Sequence, residues 1–166
     1  MGAFPIQKMK IINSQNRWQT DEPKVRALVE HLLERAAGLA KESRPRELTV
    51  ILMDDAGIAE VNEALLQHEG PTDVITVRYH AIPGEREEGD IAELYVNVER
   101  AVQLARQGWP AGRELALYLA HGCDHLAGED DATSAQRRRM RRRELTWLRE
   151  AEKTEHDWNA LLRGEH

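Results

Sequence analysis

ELTVILM, residues 47–53, is the stretch on which the fold prediction depends. Its apolar and β-branched residues fill a run of strand length, which is typical of a strand buried inside a sheet. Asp54 and Asp55 follow directly, and either side chain can cap the start of a helix. The apolar stripe of that helix has helical spacing: Ile58, Val61 and Leu65. A buried strand followed at once by a helix predicts helices packed on a sheet.

The segment before this strand predicts another helix and another strand. Asp21 precedes Pro23, which is a helix-start signal. An amphipathic helix to about Lys41 is predicted by apolar residues at spacings of three and four: Val25, Leu28, Val29, Leu32, Leu33, Ala36 and Leu39. Residues 6–13 (IQKMKIIN) alternate loosely and predict a strand.

The segment after this strand predicts two strands and three further helices. Residues 72–79 and 93–98 have strand character, and the Pro-, Gly- and acid-rich residues 81–90 predict an exposed loop between them. The expected helices cover about 99–107, 111–127 and 134–150. The order is then β-α-β-α-β-β-α-α-α, an α+β fold in which a mixed four-stranded sheet packs against helices.

The composition predicts a soluble globular protein. Of 166 residues, 41% are hydrophobic and 31% are charged, which suits one domain over residues 1–150 and a tail over 151–166 that docks or frays. No apolar stretch approaches the roughly 18 residues of a membrane span, and the first residues lack the apolar segment of a secretion signal. The single cysteine, Cys123, suits a reducing compartment. We therefore expect a cytoplasmic protein without a membrane partner.

HGCDHLAGEDD, residues 121–131, combines residue types that bind metal ions. His121 and His125 are four residues apart on a predicted helix, so their imidazoles share one face. Gly128 can take a left-handed conformation that turns the chain back and lets Asp131 approach the same ion. Two imidazoles and a carboxylate leave a fourth position open, as in catalytic zinc sites. We predict one zinc ion per chain, bound by these three side chains.

Two neighbours of these ligands have alternative interpretations. Asp130 competes for the place of the third ligand, or caps a turn, or orients a histidine without touching the metal. Cys123 points about 160° away from the midline of the histidine pair on a helix, so we predict that it faces the core. The histidine pair alone is also compatible with an ordinary polar helix face.

The metal motif resembles the HGxLHLxGYDH signature of the YbeY family, zinc-dependent endoribonucleases that act in ribosomal RNA maturation. Residues 61–77 are similar to a second family block, LNxxYRxxxxPTDVLSF, with five residues in register: Asn62, Pro71, Thr72, Asp73 and Val74. Residues 92–101 look like a third block, GEIVVSxExA, with Glu93 at its acidic position. The three matches keep the family's order and spacing.

The resemblance implies a metal-hydrolase-like domain that cuts single-stranded RNA in ribosomal RNA maturation and ribosome quality control. It implies zinc as the cofactor, and ribosomal RNA and the small ribosomal subunit as partners. Thr72 and Asp73 are then expected to line a substrate cleft over the metal. The alternative is that Thr-Asp after Gly-Pro forms an ordinary turn into a strand.

Four positions depart from the family pattern. Asp131 stands where the family has its third histidine ligand, and a carboxylate is a harder, negatively charged ligand that changes affinity or metal preference. Glu129 replaces a tyrosine, and Asp124 replaces a leucine. Leu66 occupies the position of a basic residue expected to contact substrate phosphate.

Residues 137–143 read RRRMRRR and predict a strongly basic helix. This helix can bind RNA phosphates through charge, or it can be a solvated helix paired to Glu144, Glu150 and the acidic loop 81–90. Arginines are also candidates to replace the basic residue missing at Leu66. The candidate RNA contacts are Arg78, Arg113, Arg137, Arg138 and Arg141.

Three functions compete on the sequence alone. The first is the endoribonuclease, for which Asp124 beside His125 is a candidate general base, with a solvated helix residue as the alternative reading. The second is an RNA-binding ribosome assembly factor with little catalysis. The third is a zinc peptidase, but a peptidase of the HExxH type needs a glutamate where position 122 holds glycine. The third function is therefore disfavoured.

Overall fold

The computed structural model describes residues 6–39, 41–84, 89–154 and 156–165. In chain order its elements are β1 (Lys8–Asn13), β2 (Trp18–Thr20), α1 (Glu22–Ala37), β3 (Glu47–Met53), α2 (Asp55–Leu66), β4 (Val74–Tyr79), β5 (Ile91–Asn97), α3 (Val98–Gln103), α4 (Ala111–Leu126), α5 (Ser134–Lys153), a 3₁₀ turn (Trp158–Ala160) and β6 (Leu162–Glu165). In this part of the chain, each helix is too short or too polar to span a bilayer.

The main sheet has four strands in the order β1-β3-β5-β4. β3 runs parallel to β1 and β5, and β4 is antiparallel to β5. The ELTVILM strand is therefore an interior strand, as its apolar sequence predicts. The predicted α+β fold with a mixed four-stranded sheet is confirmed. The element order also holds, apart from β2 and β6, which form a separate antiparallel pair.

The hydrophobic core lies between one face of this sheet and helices α1, α4 and α5. Leu48, Val50 and Leu52 alternate along β3 and are buried, as the two-residue period of a strand requires. α1 buries most of its predicted stripe: Val25, Leu28, Val29, Leu32, Leu33 and Ala36. α4 packs against the sheet, α1 and α5, and its Cys123 is fully buried as predicted. α4 is therefore the central helix of the fold.

Several elements differ in length from the predictions. α3 ends at Gln103 rather than near residue 107, because Arg106 and Trp109 pair across a turn in which Gly108 takes a φ of 77°. α1 likewise ends about four residues early, at Ala37, and smaller shifts affect β1, β4, β5 and α5, whose bounds are given above. Part of the predicted acidic loop, residues 85–88 with Glu85, Glu87 and Glu88, lies outside the described residues.

The C-terminal segment packs on α4 and α1. Trp158 and Leu161 are buried, and β6 pairs with β2. Arg163 forms an ion pair with Asp21, the N-cap of α1. Gly112 of α4 lies against the Trp158 backbone so closely that a Cβ at position 112 would overlap the Trp158 carbonyl. Glycine at this position therefore allows the segment to approach α4.

Gly112→Ala should lower the free energy of unfolding by about 1–3 kcal/mol, because the added methyl group forces a backbone segment off α4. Urea unfolding followed by circular dichroism measures this difference. Gly38→Ala is the matched control, since Gly38 has an ordinary helical backbone and its nearest neighbour is 3.7 Å from the added Cβ. Equal destabilisation in both variants would contradict the argument.

Candidate metal centre

The candidate metal centre lies at the end of α4. His121 and His125 are one turn apart, and their Nε2 atoms are separated by 3.0 Å. Gly128 then takes a φ of 95°, the left-handed conformation that ends a helix and redirects the chain. The returning loop places Asp131 Oδ2 at 3.4 Å from His121 Nε2 and 3.3 Å from His125 Nε2. The structure thus brings the three predicted ligands together.

Each histidine is oriented by an acceptor at its other ring nitrogen. His121 Nδ1 lies 3.0 Å from the Glu144 carboxylate, and His125 Nδ1 lies 3.1 Å from the Glu129 carbonyl oxygen. A carboxylate and a carbonyl both accept, so each Nδ1 carries the proton and donates it. Both Nε2 atoms therefore direct lone pairs at each other and at Asp131.

This donor set fits a metal cation. Three electron-rich atoms within 3.4 Å of one another repel unless a positive charge lies between them. Ligand atoms about 2.0–2.2 Å from a tetrahedral zinc ion are separated by roughly 3.3–3.6 Å, which is close to the observed triangle. The group has three ligand residues, so a tetrahedral ion held by them would have a fourth position for water or substrate.

The surroundings of the ligands are negative. Burial lowers the pKa of the His121 imidazole, but the hydrogen bond and charge of Glu144, with the charges of Asp73 and Asp131, outweigh burial and raise that pKa above its ordinary value. A proton and a metal ion compete for the same Nε2 lone pair. The same negative charges stabilise a metal cation at this point.

Arg143, the neighbour of Glu144 on α5, supports the second histidine. Its guanidinium lies 2.7 Å from Asp124 Oδ1 and 3.4 Å from Glu129 Oε2, and both carboxylates are nearly inaccessible to solvent. The Glu129 carbonyl oxygen accepts a hydrogen bond from the Nδ1–H of His125. The buried cluster of Arg143, Asp124 and Glu129 therefore fixes the loop that orients His125. Two consecutive residues of α5 thus position the two histidines.

Sequence reasoning missed Arg143 and Glu144 as site residues. One of the two alternatives for the arginine helix paired it with Glu144 in solvent, and that pairing is wrong for Glu144, which is buried and faces His121. A signal was present in the helical spacing, since Glu144 shares the inward face of α5 with apolar residues: Met140, Trp147, Leu148 and Ala151. A carboxylate on such a face indicates a buried partner.

The surroundings of Asp124 also differ from those of the solvated helix residue that the sequence allowed. The reading of Asp124 as a solvated helix residue is wrong, because its side chain is buried against Arg143. Burial raises the pKa of the Asp124 carboxyl to about 7, while Arg143 acts in the opposite direction. The Asp124 carboxylate contacts α5 rather than the ligand atoms, so we assign it a positioning role and name no general base.

The predicted cleft residues lie at the start of β4. Asp73 accepts the Val74 N–H at 2.8 Å, and its charge reaches His121. The Thr72 carbonyl accepts from the Asn97 side chain at 3.0 Å, so this turn is held rigidly. An open groove of about 370 Å³ runs beside the metal centre along β4, with His125, Leu66, Val74, Thr76, Arg78 and His80 among its lining residues.

The arginines predicted to bind RNA have different surroundings. Arg78 is only 10% exposed and binds Glu42 and Asp90. Arg113 stacks on the Trp109 ring at 4.5 Å. The remaining three lie on exposed positions of α5: Arg137, Arg138 and Arg141. Of these five arginines, Arg137 alone contacts residues 127–131, called here the ligand loop, by donating to the Asp131 carbonyl at 3.0 Å.

Gly122 explains why the motif lacks the glutamate of an HExxH peptidase. A Cβ at position 122 would overlap the end of the buried Leu94 side chain on β5, so any larger residue there requires Leu94 to move. The described residues at this helix position thus provide no peptidase-type general base. The close packing of α4 on β5 therefore disfavours the glutamate that such a peptidase needs at position 122.

An α+β fold with two histidines and an aspartate around an open position defines a hydrolytic type of metal site. Residues 10–152 match the family model described as Endoribonuclease YbeY, and the chain belongs to the YbeY family. The resemblance read from the sequence motifs is confirmed.

Several curated relatives carry the name Endoribonuclease YbeY. The protein of Roseiflexus sp. is 36% identical over 135 residues, covering 74% of this chain and 81% of the relative. The protein of Desulfitobacterium hafniense is 35% identical, over 70% of this chain and 79% of the relative. The match to the protein of Rhodopirellula baltica, 36% identical over 60% of this chain, spans about half (51%) of that relative's length.

A solved structure shares the fold. The solution structure of TM1509 from Thermotoga maritima superposes with a TM-score of 0.53 at 22% sequence identity, covering 89% of this chain and 94% of that protein. At this identity the likeness extends to the arrangement of strands and helices alone.

Glu144→Gln should weaken metal binding about tenfold or more, because a neutral amide no longer supplies the negative charge that holds His121 and favours the cation. Competition with a chelator of known affinity measures the change. Glu152→Gln on the same helix is the matched control, since Glu152 is exposed. Unchanged metal affinity in Glu144→Gln would contradict the assigned role of Glu144.

Proposed function

We propose that this chain is a metal-dependent endoribonuclease that cuts single-stranded RNA during ribosomal RNA maturation. Membership of the YbeY family supports the reaction class. The observation that carries the proposal is the convergence of two histidine Nε2 atoms and one Asp131 oxygen around an open position. Such a site suits hydrolysis of a phosphodiester.

Zinc is the metal that we propose, one ion per chain. The ligand set of two imidazoles and one carboxylate occurs in catalytic zinc sites. When bound, zinc supplies Lewis-acid activation of water and polarisation of a phosphoryl oxygen near neutral pH. The chain's own residues hold the ligands: Glu144 and Glu129 keep both Nε2 atoms directed at one point.

The groove beside His125 is the proposed path of the RNA strand. Val74, the residue after Thr72 and Asp73, lines the groove at the start of β4, and His80 offers a polar group further along it. Leu66 lies 42% exposed at the groove, where the family resemblance leads us to expect a basic residue. Arg78, which lines the same groove, keeps its guanidinium beneath the surface.

The proposed partners are ribosomal RNA and the small ribosomal subunit, and the proposed compartment is the cytoplasm. Support for the partners comes from the family alone. The free thiol of Cys123 is buried in the core, which is compatible with a reducing compartment.

A second candidate, an RNA-binding assembly factor with little catalysis, is favoured by Leu66 in the groove. An apolar side chain there withholds one charge from substrate phosphate. The two candidates predict the same RNA binding and differ in cleavage. Cleavage is therefore the measurement that separates them.

Metal-loaded protein should cleave unstructured RNA, and His121→Ala, His125→Ala and Asp131→Ala should each reduce the rate at least about 100-fold. Gel analysis of an end-labelled RNA, with and without chelator, measures the rate. His68→Ala, which removes an exposed histidine on no part of the site, should keep wild-type activity. RNA binding without metal-dependent cleavage would instead establish the assembly factor.

Asp131→His should raise the ratio of zinc affinity to manganese affinity roughly tenfold or more, because imidazole is a softer ligand than carboxylate. Metal competition followed by elemental analysis measures the ratio. Asp130→His is the control for ligand identity, since the Asp130 carboxylate accepts the Ala132 N–H at 3.2 Å and lies outside the ligand group. A change in the ratio of zinc to manganese affinity in the Asp130 variant alone would contradict the assignment of Asp131 as the third ligand.

A further inference from the structure

Helix α5 carries three neighbouring arginines on its outer surface: Arg138, Arg141 and Arg142, called here the arginine stripe. All three are exposed. Arg141 and Arg142 lie three and four positions after Arg138, so the three side chains share one face of the helix. The inward face of the same helix is packed into the core.

The arginine stripe lacks carboxylate partners within the described part of the chain. Glu144 contacts His121, and Glu150 pairs with Arg35 on α1 at 3.1 Å. Two other arginines of the helix are paired, since Arg139 and Arg143 both face Glu129. For Arg138, Arg141 and Arg142, no ion pair within 4.0 Å occurs among the described residues.

An unpaired stripe of like charges destabilises the helix that carries it. An anion bound between these guanidinium groups would therefore reduce their mutual repulsion. Arginine is suited to phosphate, because its planar guanidinium donates two parallel hydrogen bonds to neighbouring oxygens. A chain with a net charge of −6 repels a polyanion over most of its surface, so such a partner needs a local basic surface.

The arginine stripe is connected rigidly to the metal centre. Arg137, the residue before it, donates to the carbonyls of Asp131 and Ala132. Glu144, two residues after its last arginine, holds His121. The helix that carries the stripe is therefore fixed relative to the metal centre by residues on both sides of the stripe.

We infer that the arginine stripe binds backbone phosphates of the substrate RNA on one side of the bond that is cut. The inference rests on the proposed function, which supplies RNA as the polyanion. An anionic membrane is the less suitable partner, because a helix that binds a membrane surface presents an apolar face to it. The apolar face of α5 is buried in the protein: Met140, Trp147, Leu148 and Ala151.

The test compares wild-type full-length protein with Arg138→Gln/Arg141→Gln/Arg142→Gln. Fluorescence anisotropy with a labelled single-stranded RNA, in chelator so that no cleavage occurs, measures the Kd. Steady-state cleavage by metal-loaded protein measures KM and kcat. The stripe variant should raise Kd and KM about tenfold or more and leave kcat unchanged, because the stripe touches RNA away from the reacting atoms. The slope of log affinity against log salt should fall by about 2, since each single-strand phosphate contact contributes about 0.7.

Lys8→Gln/Lys10→Gln/Lys24→Gln is the matched control, since it removes the same charge from exposed residues of β1 and α1. An equal rise in Kd in this control would overturn the inference, because net charge alone would then explain binding. Wild-type protein that binds phosphatidylserine vesicles and no RNA would overturn it as well. Stripe-dependent RNA binding by a wild-type protein that never cleaves RNA would support the stripe and refute the nuclease.

Discussion

Two imidazole lone pairs that face each other across 3.0 Å are the constraint around which this fold is arranged. Without the acceptors on their far sides, His121 and His125 could turn away and relieve the repulsion. Glu144 and the Glu129 carbonyl prevent this by fixing both Nδ1–H groups. The centre is therefore prepared for a cation by groups that never touch the cation.

Helix α5 has two faces with different tasks. Its inward face carries Glu144 and Arg143 to the two histidines, and its outward face carries the arginine stripe. Two of the four residues that depart from the family pattern are connected, because Asp124 and Glu129 share the guanidinium of Arg143. A buried carboxylate costs less beside a buried arginine than alone, and burial still raises the pKa of the Asp124 carboxyl to about 7. Asp124 and Glu129 therefore depend on the same arginine for the compensation of their charges.

The parts of the fold that sequence predicts best are those encoded locally. Apolar periodicity locates α1, β3 and α4, and the spacing of His121 and His125 on one helix locates the metal centre. The local sequence does not encode which elements pack against each other. β2 has three residues and pairs with a strand near the opposite end of the chain, and Glu144 reaches His121 from 23 positions away. Tertiary packing determined both contacts.

Asp131 shows how a charged ligand can be held without being neutralised. Arg137 donates to the backbone carbonyls of Asp131 and Ala132, so an arginine fixes the loop. Among the described residues, the Asp131 carboxylate has ion-pair contacts with the two histidines alone. If Arg137 paired with the carboxylate instead, it would compete with the metal for the same lone pairs. The loop is therefore anchored through its backbone, which leaves the full charge of the third ligand for the cation.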